Sequence, residues 1–334
     1  MFSINNRLVG GNNPVYIIAE MGINHNGNSD IAMKMVEEAS KADTDAVKIQ
    51  IVYADESYTI DSESYSIFKK NEIKINDWEK IVRLAKELKI DIFATFAQPK
   101  AILFAEQLDL PAIKISSSNL TNYPLLKAAA RSGKPLLLST GLSYLSEVDE
   151  SIRYLEENGS SQIGILHCTS LYPTHPKDVN LLALNTLSKA FPYPIGFSDH
   201  TIGSFCAVAS VAMGAKIIEK HFTLDKTMEG PEHHFSADPE ELVVLVKAIR
   251  DAEEALGSYV KRPVADEVPL REKMQRTLVA DKEIKEGEIL TDAMVIPKRS
   301  PAKGLQAKYL DIIVGRRAKK NIPKNSPITF ELIC

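Results

Sequence analysis

Two lysines, two histidines and several carboxylates and hydroxyls in this sequence each close a short apolar run, where a buried parallel strand would hand them to one end of a sheet. Those run ends are Glu20; Lys48 and Gln50; Thr95; Lys114 with Ser116 and Ser117; Ser139 and Thr140; His167, Thr169 and Ser170; Ser198, Asp199 and His200; and Glu219 with His221. Lys48 and Lys114 are costly to bury unless an anion neutralises them. A phosphorylated, carboxylated substrate would supply that anion, with the hydroxyls of Thr95, Ser117, Ser170 and Ser198 as neutral donors around it. Pairing with Glu20 and Glu219 is the alternative, and position alone leaves both open. His200 and His221 end neighbouring runs and could share one divalent cation, an open site that acts as a Lewis acid on a carbonyl oxygen. Two hydrogen-bonded structural histidines are the bland alternative. His25, His233 and His234 fall in loops, where ligation is open to them but solvation is the common fate. His167 lies inside its run and is a weaker ligand, and Cys168 reads as core because no base is placed to activate it.

These side chains act together only if the runs that carry them close into one ring. Apolar, β-rich runs at 15–21, 46–51, 91–96, 112–116, 135–140, 164–169, 194–198 and 215–222 alternate with helical patterns to about residue 256, the sign of repeated βα units. Eight such units predict a (β/α)8 TIM barrel with its active site at the C-terminal strand ends. Asn76 with Glu79, and Asp238 with Pro239 and Glu241, carry helix-start signals. In the second of these helices Leu242, Leu245, Val246 and Ile249 form one apolar stripe for packing on the barrel. The pattern fails over 258–276, where Lys261, Arg262, Asp266, Glu267, Arg271 and Lys273 crowd together, so this stretch reads as a linker. Short β-like runs at 277–280, 294–297 and 327–332 then predict a small, mostly β domain over 277–334, following a barrel domain over 1–257.

Composition narrows the partner. The chain has 334 residues and 44% hydrophobic content, which accommodates one barrel of roughly 250 residues and a small addition. A formal net charge of -4 leaves no polybasic footprint for nucleic acid or an anionic membrane, so a small molecule is the expected ligand. Cys168, Cys206 and Cys334 are scattered and odd in number, matching neither a disulfide framework nor a zinc site and pointing to a reducing compartment. No apolar run approaches the ~20 residues that cross a bilayer, and Asn5, Asn6 and Arg7 interrupt any signal-like core, so a cytoplasmic protein is expected.

Seven segments carry a resemblance that spans nearly the whole chain. They are Ile18-Ala19-Glu20 with Gly22-Ile23-Asn24-His25-Asn26-Gly27; Val47-Lys48-Ile49-Gln50; Ile113-Lys114-Ile115-Ser116-Ser117; Leu138-Ser139-Thr140-Gly141; His167-Cys168-Thr169-Ser170 with Tyr172-Pro173-Thr174; Gly196-Phe197-Ser198-Asp199-His200-Thr201; and Glu219-Lys220-His221-Phe222-Thr223. In this order, at run ends, they resemble the phosphoenolpyruvate-dependent sialic acid synthase family, which makes nine-carbon (nonulosonic) sugar acids. The C-terminal part is similar to that family's antifreeze-like (SAF, β-clip) domain.

The resemblance implies condensation of phosphoenolpyruvate with N-acetylmannosamine or a related N-acyl hexose. It implies proton handling by Glu20, phosphoenolpyruvate binding by Lys48, Thr95, Lys114, Ser117, Ser170 and Ser198, and sugar contacts from Gln50, Tyr172, Glu232 and Arg299. His200 and His221 would hold a divalent metal, Mn2+ ahead of Mg2+ or Co2+. Lys298-Arg299 resembles the basic pair that reaches a partner's site in a head-to-tail, domain-swapped homodimer. Ser170 stands where sialic acid enzymes carry Asn, as in the pseudaminic acid branch, and Glu232 stands in place of Asp. The alternatives are therefore a legionaminic or pseudaminic acid synthase using a diacetamido-hexose, another phosphoenolpyruvate–aldose synthase, or a silent binding protein.

Overall fold

The apolar runs become strands. The computed structural model describes residues 1–334, apart from the side chain of Glu272. An antiparallel hairpin of β1 (Phe2–Ile4) and β2 (Arg7–Val9) comes first. It is followed by β3 (Tyr16–Gly22), β4 (Ala46–Ile51), β5 (Asp91–Phe96), β6 (Ile113–Ile115), β7 (Leu136–Ser139), β8 (Ile163–Cys168), β9 (Ile195–Asp199) and β10 (Ile217–His221). These eight are hydrogen-bonded in sequence order, and β10 pairs with β3 to close the expected parallel barrel. The register slips between Glu20 and Gly22, a bulge at the very end of β3.

Side-chain alternation divides the barrel interior into layers. Ile18, Ala46, Phe93, Ala112, Leu137, Leu166 and Ile217 form an apolar layer, onto which Phe2, Ile4 and Val9 of the hairpin pack from below. Two residues further along each strand, roughly 6.6 Å higher, stand Glu20, Lys48, Thr95, Lys114, Ser139, Cys168 and Glu219. One strand period thus converts an oily plug into a polar floor. On the outer face, helices such as Ile75–Leu88 and Pro239–Leu256 bury Trp78, Ile81, Leu242 and Leu245 against the strands.

The chain divides into two compact units, Met1–Gly257 and Ser258–Cys334. The second is built on β11 (Thr277–Ala280) and β12 (Val295–Lys298), which pair antiparallel, with single bridges such as Val279↔Pro327 and Ile284↔Ile322. Its own core gathers Leu278, Ile284, Leu290, Ile313 and Ile328.

Local expectations met different fates. Asp238 forms the capping box with Glu241, its side chain accepting from the Glu241 amide at 2.9 Å. Asn76 caps nothing: its helix begins one residue earlier, at Ile75, and has no side-chain cap. The 258–276 stretch is not featureless, because Glu267–Met274 is helical. The third β-like run also differs, since Phe330–Leu332 is a 3-10 turn and only Pro327 bridges to β11.

Candidate active site

Buried charge concentrates at the C-terminal ends of the barrel strands. Lys48 Nζ lies 2.6 Å from Glu20 Oε2, 4.0 Å from Glu219 Oε2 and 2.9 Å from Thr95 Oγ1. Lys114 Nζ lies 2.7 Å from Ser139 Oγ and 3.3 Å from Glu219 Oε1, which also accepts from Ser198 Oγ at 2.8 Å. Gln50 Nε2 donates to Glu20 Oε1 at 3.1 Å. The pairing that the sequence left open is therefore present, and both lysines face one basin.

Glu219 sits between two ammonium groups. Burial pushes its carboxyl up, but Lys114 and then Lys48, with the Ser198 hydrogen bond, hold it far below the usual range. For Lys48, burial favours the neutral amine, yet Glu20 and Glu219 outweigh it and raise the pKa. Lys114 goes the other way: burial lowers it, and the neighbouring Lys48 charge opposes the help of Glu219. The two partners of the Lys114–Glu219 pair thus move in the same direction. Burial is the largest influence on both: at Glu219 the charges of Lys114 and Lys48 outweigh it, whereas at Lys114 it acts together with the Lys48 charge against the pull of Glu219.

Beside this network is a small hydroxyl cradle. Ser117 Oγ accepts from the Gly141 amide at 3.1 Å and lies 3.6 Å from Cys168 Sγ, and Cys168 Sγ lies 3.8 Å from His200 Nδ1. Ser170 Oγ is buried with no hydrogen-bond partner among the described residues. A Cβ on Gly141 would stand 2.3 Å from Ser170 Oγ and 2.8 Å from Ser117 Oγ, so the absence of a side chain there keeps the cradle open. Cys168 is a neutral thiol raised further by burial, which removes it as a nucleophile.

The two imidazoles come together as expected, with ring centroids 5.2 Å apart. His200 Nδ1 lies 2.8 Å from the Thr169 carbonyl, which can only accept, so Nδ1 carries the proton and Nε2 keeps a lone pair. Burial first, and His221 second, press the His200 pKa down to about 3, so this ring is neutral. Tyr172 packs against His200 with ring centroids 4.1 Å apart and planes tilted by 38°, and Phe235 packs 5.2 Å from His221. His221 Nδ1 makes no hydrogen bond among the described residues, and Glu232 Oε2 lies 3.5 Å from it, at the edge of hydrogen-bond reach. Burial raises the Glu232 carboxyl, but His221 and the Ile23 amide bring it below its ordinary value.

This donor set fits a divalent cation. Two buried imidazoles lie with ring centroids 5.2 Å apart: His200 Nε2 keeps a free lone pair, and among the described residues no hydrogen bond occupies His221 Nε2. Among the described residues no group of three or more His, Cys, Asp or Glu forms a closed metal cage. An ion here would keep most of its positions for water or substrate oxygen, as an open Lewis-acid site requires. The three carboxylates Glu20, Glu219 and Glu232 outnumber Lys48 and Lys114, so the ion would also correct a formal charge deficit.

The other histidines are structural or remote. His25 stacks edge-on against Trp78 at 5.5 Å and its Nδ1 accepts from the Gly27 amide at 3.0 Å; His233 bonds Thr223 at 2.6 Å; both are buried rather than solvated. His167 is held by the Val179 carbonyl at 2.7 Å, and His234 is exposed. Arg299 belongs to the second unit, where it is exposed. Gly141 stands in a quoted motif but not among the expected site residues, and Glu219, expected only as an alternative partner of the lysines, bridges both of them. The signal for Glu219 was its place two residues before His221, on the same strand face.

Comparison with known proteins agrees with this geometry. The NeuB family model matches residues 35–261 and the SAF domain model matches residues 275–333. An uncharacterized protein of Methanocaldococcus jannaschii is 43% identical over 98% of this chain and 97% of its own length. The N,N'-diacetyllegionaminic acid synthase of Legionella pneumophila is 36% identical over 95% of this chain and 94% of that enzyme. Among solved structures, the N-acetylneuraminic acid (sialic acid) synthetase of Leptospira borgpetersenii, in complex with citrate, superposes with a TM-score of 0.77 at 34% identity, covering 82% of this chain and 96% of that one.

Proposed function

The chain belongs to the NeuB family and carries a SAF domain, and from that membership we propose that it is a nonulosonic acid synthase that condenses phosphoenolpyruvate with N-acetylmannosamine or a related N-acyl hexose. The observation that carries the proposal is the single basin in which Lys48, Lys114, the Ser117–Ser170 cradle and the His200–His221 pair converge. It offers cationic and hydroxyl donors for a phosphorylated, carboxylated donor next to a place for an electrophilic carbonyl.

Phosphoenolpyruvate would lie with its anionic groups against Lys48 and Lys114, displacing their carboxylate partners in part, and with further oxygens toward Ser117 and Ser170. Bound at His200 and His221, a divalent cation such as Mn2+ would supply Lewis acidity to the acceptor's carbonyl oxygen. Carbon 3 of the donor forms the new carbon–carbon bond with the aldehyde carbon, whose oxygen takes a proton. Water adds at carbon 2, and the resulting tetrahedral centre loses inorganic phosphate and its hydroxyl proton to give the keto acid. Glu20, held by Lys48 and Gln50 at 2.6 and 3.1 Å, would move these protons. Tyr172, its ring 4.1 Å from that of His200, would cover one side of the imidazole pair.

A second reading has specific support. The Legionella pneumophila relative is a diacetyllegionaminic acid synthase, and Ser170 follows the pseudaminic acid pattern, so a diacetamido-hexose is the alternative acceptor. The family resemblance also supports a head-to-tail homodimer in which Arg299 of one copy serves the other's site. Phosphate release from phosphoenolpyruvate with Mn2+ and each acceptor in turn tests the proposal. Release with N-acetylmannosamine or a diacetamido-hexose is expected; release only with a phosphorylated aldose, or with no acceptor at all, refutes it.

A further inference from the structure

Glu232 follows the end of β10 by 11 residues and the end of β3 by 210, yet it reaches both strand ends together. Its Oε2 stands 3.4 Å from the Ile23 amide and 3.5 Å from His221 Nδ1. The space it occupies exists because residue 22 is glycine: a Cβ there would lie 2.3 Å from Glu232 Oε2 and 3.5 Å from His221 Nδ1. Gly22 has φ +55 and sits at the bulge that ends the β3–β4 register, where the backbone is bent and the next amide is re-aimed. The loop that brings Glu232 in is fastened: the Glu232 carbonyl accepts from Ser236 Oγ at 2.6 Å, and Ser236 Oγ accepts from Asn24 Nδ2 at 3.0 Å.

We propose that Glu232 is a positioning residue that acts through His221: its carboxylate fixes the imidazole for cation binding, and the Gly22 bulge is the notch that admits it. The proposal rests on the reading of His200 and His221 as cation ligands and assigns Glu232 a role other than the sugar contact implied by the family resemblance. A ligating histidine commonly gives its second ring N–H to a carboxylate, which fixes the tautomer and ring orientation. His221 Nδ1 is buried and makes no hydrogen bond among the described residues, so none competes with the Glu232 carboxylate 3.5 Å away, which a small shift of the ring on cation binding would bring into full reach. The carboxylate is one-fifth exposed while its ring partner is nearly buried, so the contact forms a wall of the site rather than a piece of the core.

The test is calorimetric titration of the full-length protein with Mn2+ in the absence of substrates, comparing the natural chain with Glu232→Gln and Gly22→Ala. Glu232→Gln keeps size and shape and removes the charge; its Mn2+ affinity should fall roughly 10- to 100-fold, the range for losing a carboxylate behind a ligating histidine. In steady state the Mn2+ concentration for half-maximal rate should rise by the same factor, while the acceptor KM at saturating Mn2+ stays within about twofold, a split that a sugar contact would invert. Gly22→Ala should weaken Mn2+ similarly by expelling the carboxylate; if its positive φ prevents folding, Glu232→Gln decides alone. Natural Mn2+ affinity in Glu232→Gln with a raised acceptor KM overturns this inference and leaves the cation reading intact. Absence of Mn2+ binding by the natural chain overturns both.

Discussion

Replacing Gly141 with alanine is a local test of where the donor's anion sits. The new methyl would lie 2.3 Å from Ser170 Oγ, 2.8 Å from Ser117 Oγ and 3.2 Å from Ser117 Cβ. Gly141 is not among the residues with positive φ, so alanine strains no backbone; the two hydroxyls in its way can rotate, and Ser117 Cβ has only to give by a few tenths of an ångström. The chain should therefore fold and melt close to the natural temperature. What it loses is the orientation of two hydroxyls toward one anion. A hydrogen bond to a charged group contributes ~1.5–3 kcal/mol, so each displaced hydroxyl should lower kcat/KM for phosphoenolpyruvate by roughly 10- to 100-fold. Phosphate release measured against phosphoenolpyruvate concentration at saturating acceptor reads this directly, with the acceptor KM as internal control. A well-folded Gly141→Ala enzyme with unchanged kcat/KM for phosphoenolpyruvate would show that the cradle of Ser117 and Ser170 is not the donor's anion site.

Three further outcomes are expected. His221→Ala should abolish turnover by removing half of the imidazole pair, and near-normal phosphate release from a folded variant would count against the metal role. Arg299→Ala should chiefly raise the acceptor KM, and an unchanged KM would remove Arg299 from the site. Ile4→Ala should lower stability by about 2–5 kcal/mol, because Ile4 is fully buried beneath the barrel, yet leave kcat untouched because the chemistry lies at the other end; a large loss of kcat without loss of stability would contradict this division.

The barrel and most of its polar floor were legible because strand period and strand end are local properties. Lys48 and Lys114 each follow an apolar residue of the layer below by two positions, and that spacing alone points them into the same cavity as Glu219. Asn76 misled because a good capping residue one position inside the helix looks like one at its start. Glu232 could be named only from the family pattern, because its placement against Ile23, 209 residues away, is set by the bulge at Gly22 and the Ser236–Asn24 fastening. Gly141 was quoted as part of a motif but not as a site residue: a glycine's contribution there is the room it leaves, and that becomes visible only when the neighbours are in place.

The same residue types serve opposite purposes at the two ends of the barrel, and saturation tells them apart. At the strand starts Asp45 accepts from the Ile17 amide at 2.8 Å and pairs with both Arg7 and Arg250, while Arg250 also binds Glu253 and the Val15 carbonyl. Asp91 there takes the Tyr16 hydroxyl at 2.8 Å and the Asn5 amide. Every one of those charges has protein partners, which is what a stabilising network requires. At the strand ends the balance is left incomplete. The buried side-chain atoms without a hydrogen-bond partner among the described residues are Glu20 Oε2, Asn24 Oδ1, Ser170 Oγ, Thr201 Oγ1, Glu219 Oε2 and His221 Nδ1, and all lie at or just past the C-terminal ends of β3, β8, β9 and β10. Glu20 Oε2 still touches Lys48 at 2.6 Å, so its deficit is one of direction, and Glu219 Oε2 stands 4.0 Å from the same ammonium. An unsatisfied buried polar group costs about 1–3 kcal/mol, so the mouth, where several such atoms gather, gains more than the saturated base from any ligand or ordered water that supplies their partners.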